Sequence, residues 1–317
     1  MSRARFGRVA TAVAALVAAA VVVLSGSASV PSAAESTMVQ TAAQRQPETA
    51  AQRQPETAVS PAAAPQKYVA LGSSYAAGPG GLDSVGNRCL RTVDNYPHQV
   101  AQALNMSLVD ATCSGATTEN ILDRRQRFVS QPQIDAVTPG TALVTITTGG
   151  NDIGYVQRLI AMGCKNSVAD PVKEIAERVC GHGRPISPEP GFEQYAAVEQ
   201  KMIETVFAVR MRAPAARIVL VDYPPVVVAG GPICPKLALT PEEIESTIRV
   251  YDALAQVTAE AAQISGAELV TTGPLGAEHT VCSPDPWLRG FELPVPYHPD
   301  ASGKAGVARL IVDALRR

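Results

Sequence analysis

Four short blocks of this sequence carry residues able to do chemistry together. Gly72-Ser73-Ser74-Tyr75-Ala76-Ala77-Gly78 comes first, its small residues allowing a serine to sit on a tight turn with its hydroxyl exposed. Cys113-Ser114-Gly115-Ala116-Thr117-Thr118 is a glycine turn with backbone N–H groups to offer. Gly149-Gly150-Asn151-Asp152 presents an amide on a flexible turn, and Pro296-Tyr297-His298-Pro299-Asp300 places a histidine far downstream. A serine, a histidine and two further donors are what acyl transfer requires. The imidazole takes the hydroxyl proton as the oxygen attacks a carbonyl, and the donors hold the oxyanion that forms. Each residue also has an ordinary reading. Serine is common in turns, asparagine at helix caps, and Gly115 would ease packing beside Cys113. His98, His182 and His279 lack a neighbouring ligand pattern and read as helix-surface or loop residues. Asp152 reads as a cap or structural acceptor, and Trp287 as a contact for an acyl chain or as simple packing. No Lys follows Gly78-Pro79-Gly80-Gly81 in the spacing of a phosphate-binding loop, so that run shapes a turn.

A scaffold must bring these blocks together, and the apolar pattern says which. Short apolar runs at Tyr68–Leu71, Ser107–Ala111, Ala142–Ile146, Arg217–Val221 and from Glu268 read as strands. Helical patterns separate them: a polar stretch from Thr118, then Phe192–Arg212 and Pro241–Ile264. The last opens with Thr240 as N-cap and Glu243 three residues on. Such alternation implies a mostly parallel sheet covered on both faces, with its active site beyond the carboxyl ends of the strands. The first three blocks each follow a strand.

The 317 residues do not form one unit. Arg3, Arg5 and Arg8 precede an apolar run from Val9 to Leu24 and small residues ending at Ala34, so residues 1–34 read as a cleaved signal peptide. An uncleaved anchor is the rival reading, although the run is short for a spanning helix. Residues 35–65 are rich in Ala, Gln and Pro and repeat TAAQRQPE from Thr41 and Thr49. So little apolar surface implies a disordered linker. Residues 66–317 suffice for one α/β domain. A net charge of −2 argues against nucleic acid as a partner. Six cysteines behind an export signal, none in C-x-x-C, suggest three disulfides and no zinc site, with the pairing left open.

Taken in order, the four blocks resemble the SGNH (GDSL-type) hydrolase superfamily, in particular its secreted actinobacterial lipase and esterase branch with three disulfides. The resemblance runs from Tyr68 to the C-terminus. It implies a three-layer α/β/α sandwich with a five-stranded parallel sheet in flavodoxin-like order. It implies Ser74 as nucleophile, His298 as general base, and an oxyanion hole of the Ser74 and Gly115 backbone and the Asn151 amide. The implied disulfides are Cys89 with Cys113, Cys164 with Cys180, and Cys234 with Cys282. No metal or cofactor is implied. The expected partner is an ester substrate, lipid or fatty-acyl, met outside the cell by a monomer in transient contact with a lipid surface or the cell envelope. Carbohydrate O-deacetylation is a second enzymatic reading, with residues 162–190 as a lid or a glycan-facing rim.

Two departures from the family pattern sharpen the expectations. Ser73 stands where an aspartate usually braces the nucleophile loop, and is expected to brace it through short side-chain-to-backbone bonds. Val295 stands where an aspartate usually orients the histidine. Either the Val295 carbonyl does so or a carboxylate such as Asp285 reaches in, and the carbonyl is the favoured reading, with a histidine titrating near 6.5. The missing aspartates also prompt a third reading, a catalytically silent binding protein.

Overall fold

Tyr68-Val69-Ala70-Leu71 has no polar face, and a strand without one must be covered on both sides. In the computed structural model this segment is fully buried in β1 (Lys67–Gly72), near the middle of a five-stranded sheet. The structure describes residues 64–80, 88–126, 131–167, 180, 186–292 and 295–317. The expected signal peptide, the expected linker up to residue 63, His182 and most of the expected lid segment lie outside these.

The other strands are β2 (Ser107–Asp110), β3 (Thr141–Thr147), β4 (Arg217–Val221) and β5 (Glu268–Val270). All pair in parallel, in the order β2-β1-β3-β4-β5, which is the flavodoxin-like order. The longer helices are α2 (Tyr96–Leu104), α4 (Tyr155–Asn166), α5 (Phe192–Arg212), α6 (Pro241–Ser265) and α8 (Ala301–Arg316). Short α1 (Ser74–Ala77), α3 (Thr118–Leu122) and α7 (Gly273–Gly276) follow β1, β2 and β5. The period-two alternation of the strands divides the core. Val69, Leu71, Ile218 and Leu220 pack with α4, α5 and α6 on one face. Tyr68, Ala70, Val219 and Val221 pack with α2 and α8 on the other. Helix α6 starts as its sequence requires: the Thr240 side chain accepts from Glu243 N–H, and the Glu243 carboxylate accepts from Thr240 N–H.

Because the chain passes from β1 outward to β2 and then back to β3 on the other side, the loops after β1 and β3 diverge. The crevice left at such a switch point is where open α/β sheets bind their ligands. Blocks one, two and three leave β1, β2 and β3 there. All three implied disulfides are present: Cys89–Cys113, Cys164–Cys180 and Cys234–Cys282.

Candidate active site

Gly72 ends β1 with φ 142°, and a Cβ at this position would overlap the Thr147 carbonyl oxygen of β3. Only glycine permits that approach. It lets Ser73 N–H donate to Thr147 O at 2.9 Å, so the chain turns at once into α1. The Gln133 side chain clamps the Gly72 peptide from both sides, accepting from its N–H at 2.7 Å and donating to its carbonyl at 3.0 Å. Ser74 therefore occupies the first position of a short helix. Its N–H has no intrahelical acceptor there.

His298 comes from the loop before α8. Its Nε2 lies 2.8 Å from Ser74 Oγ, and its Nδ1 lies 2.7 Å from the Pro296 carbonyl oxygen. A carbonyl only accepts, so Nδ1 carries the proton and Nε2 is left to accept from the serine hydroxyl. That is the tautomer a general base needs. The loop reaches this shape through Tyr297, which has φ 56°, unusual for a bulky residue. Three bonds hold it: Tyr75 Oη donates to Tyr297 O at 2.6 Å, Tyr297 Oη to Leu237 O at 2.6 Å, and Tyr297 N–H to Gly290 O at 3.1 Å. Burial, opposed by the Pro296 bond and aided by the Arg289 guanidinium, pushes the imidazole down to about 4. It is neutral across the ordinary working range.

The donors for an oxyanion are ordered by bonds between the loops. Cys113 N–H donates to Gly72 O at 2.9 Å, which ties the second block to the first. Gly115 has φ 83°, and its N–H has no acceptor among the described residues. Asn151 Nδ2 donates to Ala116 O at 2.7 Å, which uses one of its two hydrogens. Asp152 accepts from the Thr118 N–H and hydroxyl, at 3.1 and 2.6 Å, and so ties the third block to α3; it is the structural acceptor expected. A cleft of about 570 Å³ and a smaller one of about 370 Å³ share Asn151, Asp152 and Gln194 in their lining.

Several expectations are corrected. The histidine is oriented by a backbone carbonyl, but by that of Pro296, not Val295, because the positive φ at Tyr297 folds the chain back by one residue. Asp285 is elsewhere: its carbonyl accepts from His279 at 2.6 Å, and its carboxylate lies 3.7 Å from that ring. The imidazole lies well below 6.5, since a buried ring without a carboxylate partner resists charge. The Ser73 side chain bonds the Tyr223 hydroxyl at 3.1 Å, in place of nearby backbone. Trp287 is buried against Gly303 and Gly306 of α8 and stacked on His279, so it is packing. His98 sits in α2.

Three supporting residues escaped the sequence reading: Gln133, Tyr75 as the anchor of the histidine loop, and Tyr223. Tyr223 also accepts from Gly150 N–H at 3.2 Å. Its position just past β4, at the carboxyl edge of the sheet, was the available signal. Gln133 offered none.

A serine bonded to a neutral histidine at the switch point of a flavodoxin-like sheet is the arrangement of a serine-type hydrolase. The chain belongs to the GDSL-like Lipase/Acylhydrolase family, whose model matches residues 70–305, and it is a carboxylic ester hydrolase. It is 33% identical over 263 residues to Lipase 2 of Streptomyces coelicolor, covering 78% of this chain and 85% of that protein. It is 30% identical over 247 residues to the lipase of Streptomyces rimosus, covering 75% and 82% respectively. The crystal structure of the extracellular S. rimosus lipase matches with a TM-score of 0.61 at 28% identity, over 78% of this chain and 99% of that one. Phospholipase A1 from Streptomyces albidoflavus matches with a TM-score of 0.61 at 27% identity, over 80% and 100%.

Proposed function

We propose that this chain is a secreted lipase or esterase that hydrolyses fatty-acyl esters through an acyl-enzyme, with Ser74 as nucleophile and His298 as general base. The observation that carries this reading is the 2.8 Å contact between Ser74 Oγ and the Nε2 of a histidine whose Nδ1–H is already committed to a carbonyl. Ser74 Oγ attacks the ester carbonyl as Nε2 takes its proton. The C–O bond to the alcohol then breaks, and the imidazolium returns the proton to the departing oxygen. Water repeats the sequence on the acyl-enzyme, releasing the acid and restoring Ser74. During each attack the carbonyl oxygen becomes an anion, received by the Ser74 and Gly115 N–H groups and the second hydrogen of Asn151 Nδ2.

Lipid esters are favoured by the names of the relatives and by the larger cleft, where Ile153, Ile160 and Ala161 give an apolar wall next to Asn151. Secretion is supported by the leader-like residues 1–34, the three disulfides and the extracellular S. rimosus relative. No helix among the described residues is long and apolar enough to cross a membrane.

The test is labelling with a fluorophosphonate, followed by a panel of acyl chain lengths set against acetylated sugars. Rapid modification at Ser74, with hydrolysis rising as the chain lengthens, is expected. No labelling would sink the nucleophile assignment, and turnover confined to acetylated sugars would sink the lipid reading.

A further inference from the structure

Asn151 can serve an oxyanion only if its nitrogen, and not its oxygen, faces the reacting carbonyl. Ala116 O accepts from it at 2.7 Å and holds one edge of the amide. The other edge is held by Gln157 on α4, whose Nε2 donates to Asn151 Oδ1 at 2.7 Å. The chemistry of the pair leaves no ambiguity about the direction. A carbonyl accepts only, so Nδ2 faces Ala116; Oδ1 must then face Gln157, which can meet it only with a donor. Gln157 lies six residues beyond Asn151, as the third residue of α4, and lines the larger cleft with Ile153, Ile160 and Ala161.

We propose that Gln157 is a positioning residue for ester hydrolysis, holding the Asn151 amide so that its second N–H points at the oxyanion. The proposal rests on the reading of Asn151 as an oxyanion donor. Without a donor on its oxygen edge, the amide keeps only the Ala116 bond and can rotate about it, and the second N–H swings away. A residue that only accepts is worse than none, because it repels Oδ1. A residue that only donates suffices.

The test is a double-mutant cycle in the full chain, read with a short soluble ester so that filling of the cleft plays little part. Gln157 is exposed, so its replacement leaves the core intact. Asn151→Ala is expected to lower kcat by about 10²- to 10³-fold. Gln157→Leu is expected to lower kcat by about 3- to 10-fold with KM little changed, the size of losing one exposed hydrogen bond. Gln157→Glu should lose at least as much at pH 7 and regain activity relative to Gln157→Leu toward pH 4.5, as its carboxyl takes a proton near its ordinary value of about 4.3 and becomes a donor. Gln157→Lys should keep kcat at or above that of the parent. In the Asn151→Ala background the Leu replacement should change kcat by less than about twofold, because nothing is left to position. Equal losses in both backgrounds, an effect confined to KM, or a Glu-to-Leu ratio flat in pH would overturn the proposal while leaving Asn151 in its role. Normal kcat in Asn151→Ala would overturn the oxyanion reading itself, and this inference with it.

Discussion

Ser73 and Ser74 are adjacent, of one type and both buried, yet they touch different things. Ser74 Oγ meets the imidazole, and Ser73 Oγ meets the Tyr223 hydroxyl. Ser74→Ala and His298→Ala are therefore expected to cost about 10³- to 10⁶-fold in kcat, while Ser73→Ala costs about tenfold or less. Steady-state kinetics on the three folded variants decides this, and equal losses at the two serines would reverse the assignment. The pH profile is a second residue-scale test. A base must be neutral to act, so kcat/KM should hold down through pH 6 and fall only near 4, where burial has placed the imidazole. Asp285→Asn should leave both the limb and kcat in place within about twofold, as its partner is His279 and not the base. A limb at 6.5, or a large loss in that variant, would show a different environment for His298. The blocks that hold Ser74, Gly115, Asn151 and His298 were legible in the sequence because each is a short run after a strand end or a turn, and the roles expected of them came from the resemblance. The partner of His298 was only half legible. With valine at 295 a carbonyl and Asp285 both stayed open, the carbonyl favoured by the resemblance; which carbonyl depended on a φ at Tyr297 that no residue type announces.

At the scale of elements, the strands and the two longest helices, α5 and α6, were legible almost to their ends, because an apolar run or a capping box leaves little choice, whereas α4 and α8 were not singled out. Phe192–Arg212 was placed to the residue, and the helix from Pro241 extends one residue beyond expectation, to Ser265. Contacts between elements were less legible: Gln133 clamps Gly72 from 61 residues away, and the Cys89–Cys113 pairing came only from resemblance. That bridge stands at the Gly115 turn, where Ser114 N–H also donates to Cys89 O at 2.9 Å. Replacing both cysteines with serine should destabilise the protein by about 3 to 4 kcal/mol from the closed loop alone. It should also lower kcat severalfold well below the melting temperature, since Gly115 is two residues from the lost anchor. Thermal unfolding and kcat measured on the same sample check both halves. A lower Tm with unchanged kcat would mean that the hydrogen bonds of the turn suffice.

For the molecule as a whole, two buried groups pull acid stability in opposite directions. His298 is depressed to about 4, so below 6.5 the unfolded chain takes up a proton that the folded one refuses, and stability falls as pH drops toward 4. Asp222, buried and accepting from the Thr272 N–H and hydroxyl, is raised to about 6. Between 6 and 3.8 it is the folded chain that holds the extra proton, so stability rises over much the same window. Asp222→Asn keeps an acceptor for Thr272 and removes only the second effect. Its Tm should match or exceed that of the parent at pH 7 and fall more steeply toward pH 4; parallel Tm curves would show that Asp222 titrates as in the unfolded chain. The Tyr75–Tyr297 bond has a consequence of another kind. It joins the turn that bears the nucleophile to a loop 222 residues downstream, and His298 is 224 residues from Ser74. A chain emerging from the ribosome acquires Ser74 early, and then Gly115 and Asn151, but has neither His298 nor its Tyr297 anchor until the loop before α8 is made. On the proposed reading of the site, hydrolytic power therefore arrives in a single late step, when the loop bearing His298 is made and docks on Tyr75.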